Sequence, residues 1–309
     1  MIARDQIVAA ARDAIAQGSQ SFAAASKLFA PATRERAWLL YGWCRAADDL
    51  TDGQELGHNA APQANPDVAQ AELEVLTKLA LDSDQEVPAA FQALRLVAQE
   101  TAMPRRFIAD HLAGFALDAA GWRPQTSEDL LQYCYHVAGS VGCMMAVVMG
   151  VSPEDDDTLD RACDLGLAFQ LANIARDIVP DALVGRCYLP AEWLNDAGLT
   201  ERELADPRRR DHVALLARRL VEMARPYRLS ARVGAARLVF RSRLAVLAAD
   251  GIYGAIGEKV LAQGAKAWDH RVRVSSAGKI GLLGLAAIRA LAPAPAAPRG
   301  DLWVRPRQS

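Results

Sequence analysis

An all-α fold is what this sequence predicts, on three observations. Apolar residues recur at three- and four-residue steps through nearly every long stretch. Ala, Leu and Arg, all strong helix formers, dominate the composition. No run of alternating Val, Ile, Thr or aromatic residues stands between turn pairs, so strands are not expected.

Along the chain, the first predicted helix is Thr33–Asp52, where Ala37, Leu40, Tyr41 and Cys44 form an amphipathic stripe. Gly53–Pro66 is polar and reads as a loop. Helical patterns then fill Pro66–Leu81, Pro88–Thr101, Pro104–Ala119, Ser127–Met149, Pro153–Val179, His212–Arg225, Val233–Leu261 and Ser276–Leu291. Thr126-Ser-Glu-Asp and Ser152-Pro-Glu-Asp carry N-cap residues followed by first-turn acids. No internal repeat or linker interrupts residues 1–291, which read as a single domain. The Pro-rich tail 292–309 reads as irregular or loosely packed.

With 309 residues and 51% hydrophobic content, the chain can bury a large core and is not disordered. Thirty-five basic against 37 acidic residues leave a net charge of −2, without the basic footprint of a nucleic-acid partner. Five scattered cysteines with no C-x-x-C pair read as reduced thiols of a cytoplasmic protein. Arg4, Asp5, Arg12 and Asp13 break up the N-terminus, so no signal peptide is expected. Val137–Val151 is nearly all apolar but only 15 residues long, and Ile280–Leu291 is shorter and interrupted by Arg289. Neither reaches the roughly 20 residues of a spanning helix. No transmembrane anchor is expected, while peripheral contact with membrane lipid stays open. The 12 arginines between Arg202 and Arg243 could serve such a contact, or simply a solvated face shared with Glu201, Glu203, Asp206, Asp211 and Glu222.

Chemistry concentrates in two acidic motifs. In RAADDLTD, Tyr41, Arg45, Asp48 and Asp52 fall on one helix face. In QLANIARDIVPD, Gln170, Asn173, Asp177 and Asp181 share a face of another. Two such helices offer oxygen ligands suited to Mg²⁺, which takes carboxylates together with substrate phosphates and water. Spacing alone does not decide this. An isolated Asp-x-x-x-Asp is ordinarily a solvated face, and Asp156, Asp160 and Asp164 have the same spacing where acids complement a helix N-terminus. Arg45 and Asp49 likewise form an ordinary i,i+4 pair. What distinguishes the two motifs is their apolar surroundings, Tyr41-Gly-Trp-Cys-Arg45 and Leu165–Ala175, where charges must be paired or metal-bound.

Together with these motifs, GSQSFAAASKLF, GFALD and LLQYCYHVAGSVGCMMAVVMG, in order from about Gly18 to Lys279, resemble the squalene and phytoene synthases. These are the trans-isoprenoid head-to-head synthases, and the likeness is greatest to their bacterial phytoene-forming branch, the tail element Asp301-Leu-Trp-Val-Arg-Pro included. The resemblance implies a single-domain isoprenoid (terpenoid) synthase fold, with helices around a central cavity. It also implies a prenyltransferase that condenses two geranylgeranyl diphosphates, through a cyclopropyl diphosphate, to 15-cis-phytoene at the first committed step of carotenoid biosynthesis. Asp48, Asp52, Asp177 and Asp181 would bind Mg²⁺ or Mn²⁺, with Asn173 assisting. Ser19, Ser21, Tyr41, Arg45 and Arg176 match diphosphate-gripping positions. Asp118 and Tyr135 match further active-site positions, and Phe22, Gln170, Arg186, Tyr188, Tyr253 and Arg271 complete the substrate-binding set. An apolar tunnel would draw on Phe22, Val137, Met144, Leu167 and Phe169, each of which could equally be plain core.

No NADPH is implied; ATP as a non-consumed activator and other carotenoid-pathway enzymes as partners stay open. Three departures stand out. Gln20 replaces a Lys, His270 stands where an Arg is common, and Pro180 should kink or end the helix beside Asp181. The alternatives are a squalene or dehydrosqualene synthase acting on farnesyl diphosphate, another class I terpenoid enzyme, and an inactive helical scaffold.

Overall fold

The computed structural model describes residues 3–18, 20–52, 65–293 and 297–307, with the side chains of residues 20, 21 and 52 outside that description. The predicted loop from Gly53 lies almost wholly outside it. Among the described residues every regular element is helical. Helices α1 (Arg4–Gly18), α2 (Gln20–Ser26), α3 (Pro31–Asp52), α4 (Pro66–Asp82), α5 (Ala89–Thr101) and α6 (Arg105–Ala119) come first. They are followed by α7 (Ser127–Cys134), α8 (Ser140–Val148), α9 (Asp156–Leu183), α10 (Ala191–Asp196), α11 (Arg210–Ala235), α12 (Phe240–Gln263) and α13 (Ser276–Leu291). The chain separates into two compact units, Met1–Trp122 with Cys143–Asp156, and Arg123–Gly142 with Asp157–Ser309.

In the first unit α1 packs on α3 and α5, and α4 packs on α3, α5 and α6. α1 does so through Ile7, Ala11 and Ile15, a buried stripe at four-residue steps. Trp43 of α3 is wholly buried and lies edge-on to His111, at 5.5 Å between ring centroids. α2 is latched to α3 by Trp38, whose indole donates to Ser26 at 2.9 Å.

α7, in the second unit, runs through a π-helical turn, Tyr135–Gly139, into α8, which from Cys143 on belongs to the first unit. A capping box on Thr126 and Asp129 starts it. The whole run Ser127–Val148 is 22 residues, long and apolar enough to cross a membrane by length and composition. That corrects the length argument from Val137–Val151, because the π turn joins what composition had cut short. Since 56% of its most apolar 18-residue stretch is buried inside the protein, packing accounts for its apolar character. Glycines set its distance to α9: a Cβ on Gly166 would lie 2.2 Å from the Ala138 carbonyl oxygen, and one on Gly142 2.4 Å from that of Ala162. Only glycine permits backbones to approach so closely.

Two prolines do not end helices as predicted. α9 continues past Pro180 to Leu183, and α11 past Pro226 to Ala235. Both prolines are exposed, so the carbonyl four residues earlier can turn to water. Conversely, the predicted stretch Val233–Leu261 is broken between Ala235 and Phe240.

The described part of the tail is irregular, as predicted, but not loose. Arg305 is 1% exposed and its Nε stands 2.8 Å from Asp160. Arg307 reaches the same carboxylate at 2.8 Å, and Arg299 reaches Asp164 at 2.8 Å. Trp303 packs its ring against Tyr135 at 5.5 Å. Asp160 and Asp164 therefore anchor the tail, whereas the sequence had suggested acids complementing a helix N-terminus.

Candidate active site

The first acidic motif belongs to the first unit. Four-residue periodicity along α3 places Tyr41, Arg45 and Asp48 together, and Arg45 bridges Asp48 at 3.2 Å and Asp49 at 3.7 Å. Asp49 is thus a second partner of the same guanidinium. Burial works to lower the pKa of Arg45, but the neighbouring Asp48, Tyr41 and Asp49 together outweigh it and hold the guanidinium above its ordinary value. Phe22 of α2 stacks on Tyr41 at 5.6 Å. The Tyr41 hydroxyl is buried with no hydrogen-bond partner among the described residues, and burial raises its pKa against the opposing charge of Arg45. Gly18 closes over it: a Cβ there would be 2.6 Å from the Tyr41 hydroxyl. Gly18 was missed as a site residue, although it opens the GSQSF element. Ser19 and the side chains of Ser21 and Asp52 lie outside the described residues. Asp118 is exposed in the last turn of α6.

The second motif belongs to the second unit. α9 buries 15 residues on most of its circumference, yet Phe169, Gln170, Asn173, Arg176, Asp177 and Asp181 are all only half-buried. They form one wet stripe on an otherwise dry helix. Arg176 donates to Asp177 through Nε at 2.9 Å and again through Nη2, and Arg271 adds a contact at 3.4 Å. Asp181 makes no ion pair among the described residues, and its pKa is pushed up to about 7, first by burial and then by the neighbouring charge of Asp177. Tyr253 stacks on Phe169 at 3.9 Å and Tyr188 on Tyr133 at 4.9 Å. Arg186 is exposed. Tyr135 is fully buried in the π turn. Met144 and Leu167 are 0% exposed and pack as core, while Val137 and Phe169 are half-buried.

The donor set suits a hard dication. Among the described residues no group of three or more His, Cys, Asp or Glu gathers at one place, so neither motif is a closed cage. Asp177 and Asp181 crowd two negative charges onto one helix turn, and a dication would relieve the repulsion that raises Asp181. Mg²⁺ takes one or two carboxylates and leaves its other positions to water and substrate phosphate.

An all-helical fold carrying two aspartate motifs, each with an arginine beside it, defines the class: an isoprenoid synthase. The squalene/phytoene synthase family model matches residues 15–277. The 15-cis-phytoene synthase of Enterobacter agglomerans is 49% identical over 94% of this chain and 99% of that protein. That of Paracoccus sp. is 44% identical over 98% of this chain and 99% of that protein. Among solved structures, a dehydrosqualene synthase in complex with ligand superposes with a TM-score of 0.81 at 26% identity, covering 92% of this chain and 96% of that one. The chain belongs to the squalene/phytoene synthase family, and it is a prenyltransferase.

Proposed function

We propose that this protein joins two geranylgeranyl diphosphates head to head to give 15-cis-phytoene, releasing two diphosphates. The observation that carries this reading is the 44–49% identity to bacterial 15-cis-phytoene synthases over nearly the whole of both chains. Similarity to a dehydrosqualene synthase is lower, at 26%.

The residues supply the chemistry as follows. Mg²⁺ held by Asp48 and Asp52, and by Asp177 and Asp181 with Asn173, would neutralise the departing diphosphate. Arg45 and Arg176 grip diphosphate oxygens and stabilise charge as the allylic C–O bond breaks. Each arginine pairs with a carboxylate, Arg45 with Asp48 and Arg176 with Asp177. The buried Tyr41 hydroxyl offers a hydrogen bond beside Arg45. Phe22, Phe169 and Tyr253 present aromatic faces to carbocations and exclude water. The allylic cation is attacked by the double bond of the second chain, giving a cyclopropylcarbinyl diphosphate. Its ionisation and rearrangement end in loss of a proton, so no hydride donor is required. Greasy substrate and product favour work at the cytoplasmic surface of a membrane.

Purified protein incubated with geranylgeranyl diphosphate and Mg²⁺, without NADPH, should release diphosphate and form phytoene, and EDTA should abolish both. Turnover of farnesyl diphosphate alone would overturn the substrate assignment. Release from neither substrate would overturn the activity.

A further inference from the structure

Helix α13 buries only Ala286 and Ala290. Ile280, Leu283, Leu285, Ile288 and Leu291 are exposed, Ile288 by 68% and Leu291 by 78%. At about 100° per residue, Ile280, Gly284, Ile288 and Leu291 form one apolar stripe. Val239 and Phe240, at the start of α12, are also exposed, by 68% and 50%. One turn into α12, Arg243 donates to the carbonyl oxygens of Arg289 at 3.3 Å and Ala292 at 2.6 Å. The start of α12 therefore lies beside the end of α13, and the two apolar sets share one end of this helix pair. Contiguous exposed apolar surface of this kind marks an interaction site.

The same end carries unbalanced positive charge. Arg228 and Arg232 share the single buried carboxylate of Asp250, at 2.6 and 2.8 Å. Arg289 is half-buried; burial lowers its pKa, and the nearby charges of Arg232 and Arg228 add to the effect. Neither Arg289 nor Arg243 pairs with a carboxylate among the described residues. No Asp or Glu occurs in Ser276–Leu291. Arg289 thus lies within the field of Arg228, Arg232 and their one carboxylate, Asp250, and Arg243 sits against the end of α13.

We infer that this face docks on an anionic phospholipid bilayer. The α13 stripe, Val239 and Phe240 enter the boundary between headgroups and acyl chains, and Arg243 and Arg289 meet lipid phosphates. Charge selects this occupant over a second copy of the chain, because a two-fold contact would set the same cluster of arginines against itself. The inference rests on the proposed function only in taking substrate and product to be lipid-soluble; binding itself needs no turnover.

The test is flotation of the full-length protein with vesicles of phosphatidylcholine alone, and of phosphatidylcholine with phosphatidylglycerol, without prenyl diphosphate. Binding to the anionic vesicles should be about tenfold tighter and should weaken with salt. The double variant Ile288→Ser/Leu291→Ser should lose about tenfold, and Arg289→Gln about fivefold, both with unchanged circular dichroism. Phe240→Ser provides an independent variant on the neighbouring helix, expected to bind more weakly. Equal binding to both vesicle types, or full binding by the double variant, overturns the inference. So does a wild-type dimer that the double variant dissociates, which would assign the face to a second copy. Vesicle binding without phytoene formation counts against the proposed function alone, and phytoene formation without vesicle binding counts against this surface alone.

Discussion

Arg299 of the C-terminal tail grips Asp164 of α9 with both sides of its guanidinium, Nη2 to Oδ1 at 2.8 Å and Nε to Oδ2 at 3.0 Å. Asp164 is 0% exposed and also accepts from Ser230 at 2.5 Å. Burial nevertheless raises its pKa, so the carboxylate depends on its arginine. Arg299→Ala should lower stability by about 3–5 kcal/mol, the usual cost of leaving a buried charge uncompensated. Arg299→Lys should recover only part, because a lysine cannot reproduce the two-pronged contact. Urea denaturation is the measurement, and an unchanged midpoint for Arg299→Ala would refute the tail's structural role.

Asp48→Asn and Asp177→Asn should each reduce phytoene formation by at least about 10²–10³-fold while leaving helicity intact. Both residues are partly exposed, at 39% and 18% for the side chain, so neither is needed to fill the core. Near-normal rates in both variants would remove the two-motif mechanism.

Asp181 makes stability depend on pH in an unusual direction for a carboxylate. Its folded pKa of about 7 stands above the ordinary value of 3.8, so the folded state keeps a proton that the unfolded chain has lost. The associated stability is fully present below about pH 4 and is lost as pH rises towards and through 7. The metal-free protein should therefore melt at a lower temperature at pH 8 than at pH 5, and Asp181→Asn should flatten that difference. Mg²⁺ with inorganic diphosphate should raise the melting temperature more at pH 8, where the ligand is ionised. A pH 5 to pH 8 difference that persists unchanged in Asp181→Asn would assign it to other groups.

Gly166→Ala tests the contact between α9 and the π turn. Its Cβ would meet the Ala138 carbonyl oxygen at 2.2 Å and the Gly139 Cα at 2.7 Å, backbone atoms that no side-chain rotation can clear. A loss of more than about 2 kcal/mol is expected in denaturant melts. Gly281→Ala, which meets nothing within 4 Å, should instead leave stability unchanged or slightly raised.

Much of the candidate site could be read from the chain because it is local. Tyr41, Arg45 and Asp48 are neighbours through helix periodicity alone, as are Asn173, Asp177 and Asp181. What escaped is long-range. Asp160 and Asp164 share their spacing with the proposed metal-binding pair Asp177 and Asp181, and only the arrival of Arg299, Arg305 and Arg307 from about 140 residues later distinguishes them. Gly18 over Tyr41, and Gly166 against Ala138, are likewise contacts between separate helices.

The helical class, the two acidic motifs and the family were determined by the sequence itself, since periodicity and motif order are properties of the chain. Tertiary structure decided which aspartates anchor and which face the wet stripe, and whether Pro180 and Pro226 end their helices. It also decided that a Pro-rich tail is locked in place while the apolar face of α13 lies bare. Each of these depends on what a side chain meets across space. Burial multiplies the effect, because a charge or a missing hydrogen bond that is nearly neutral in water decides the fold once water is excluded.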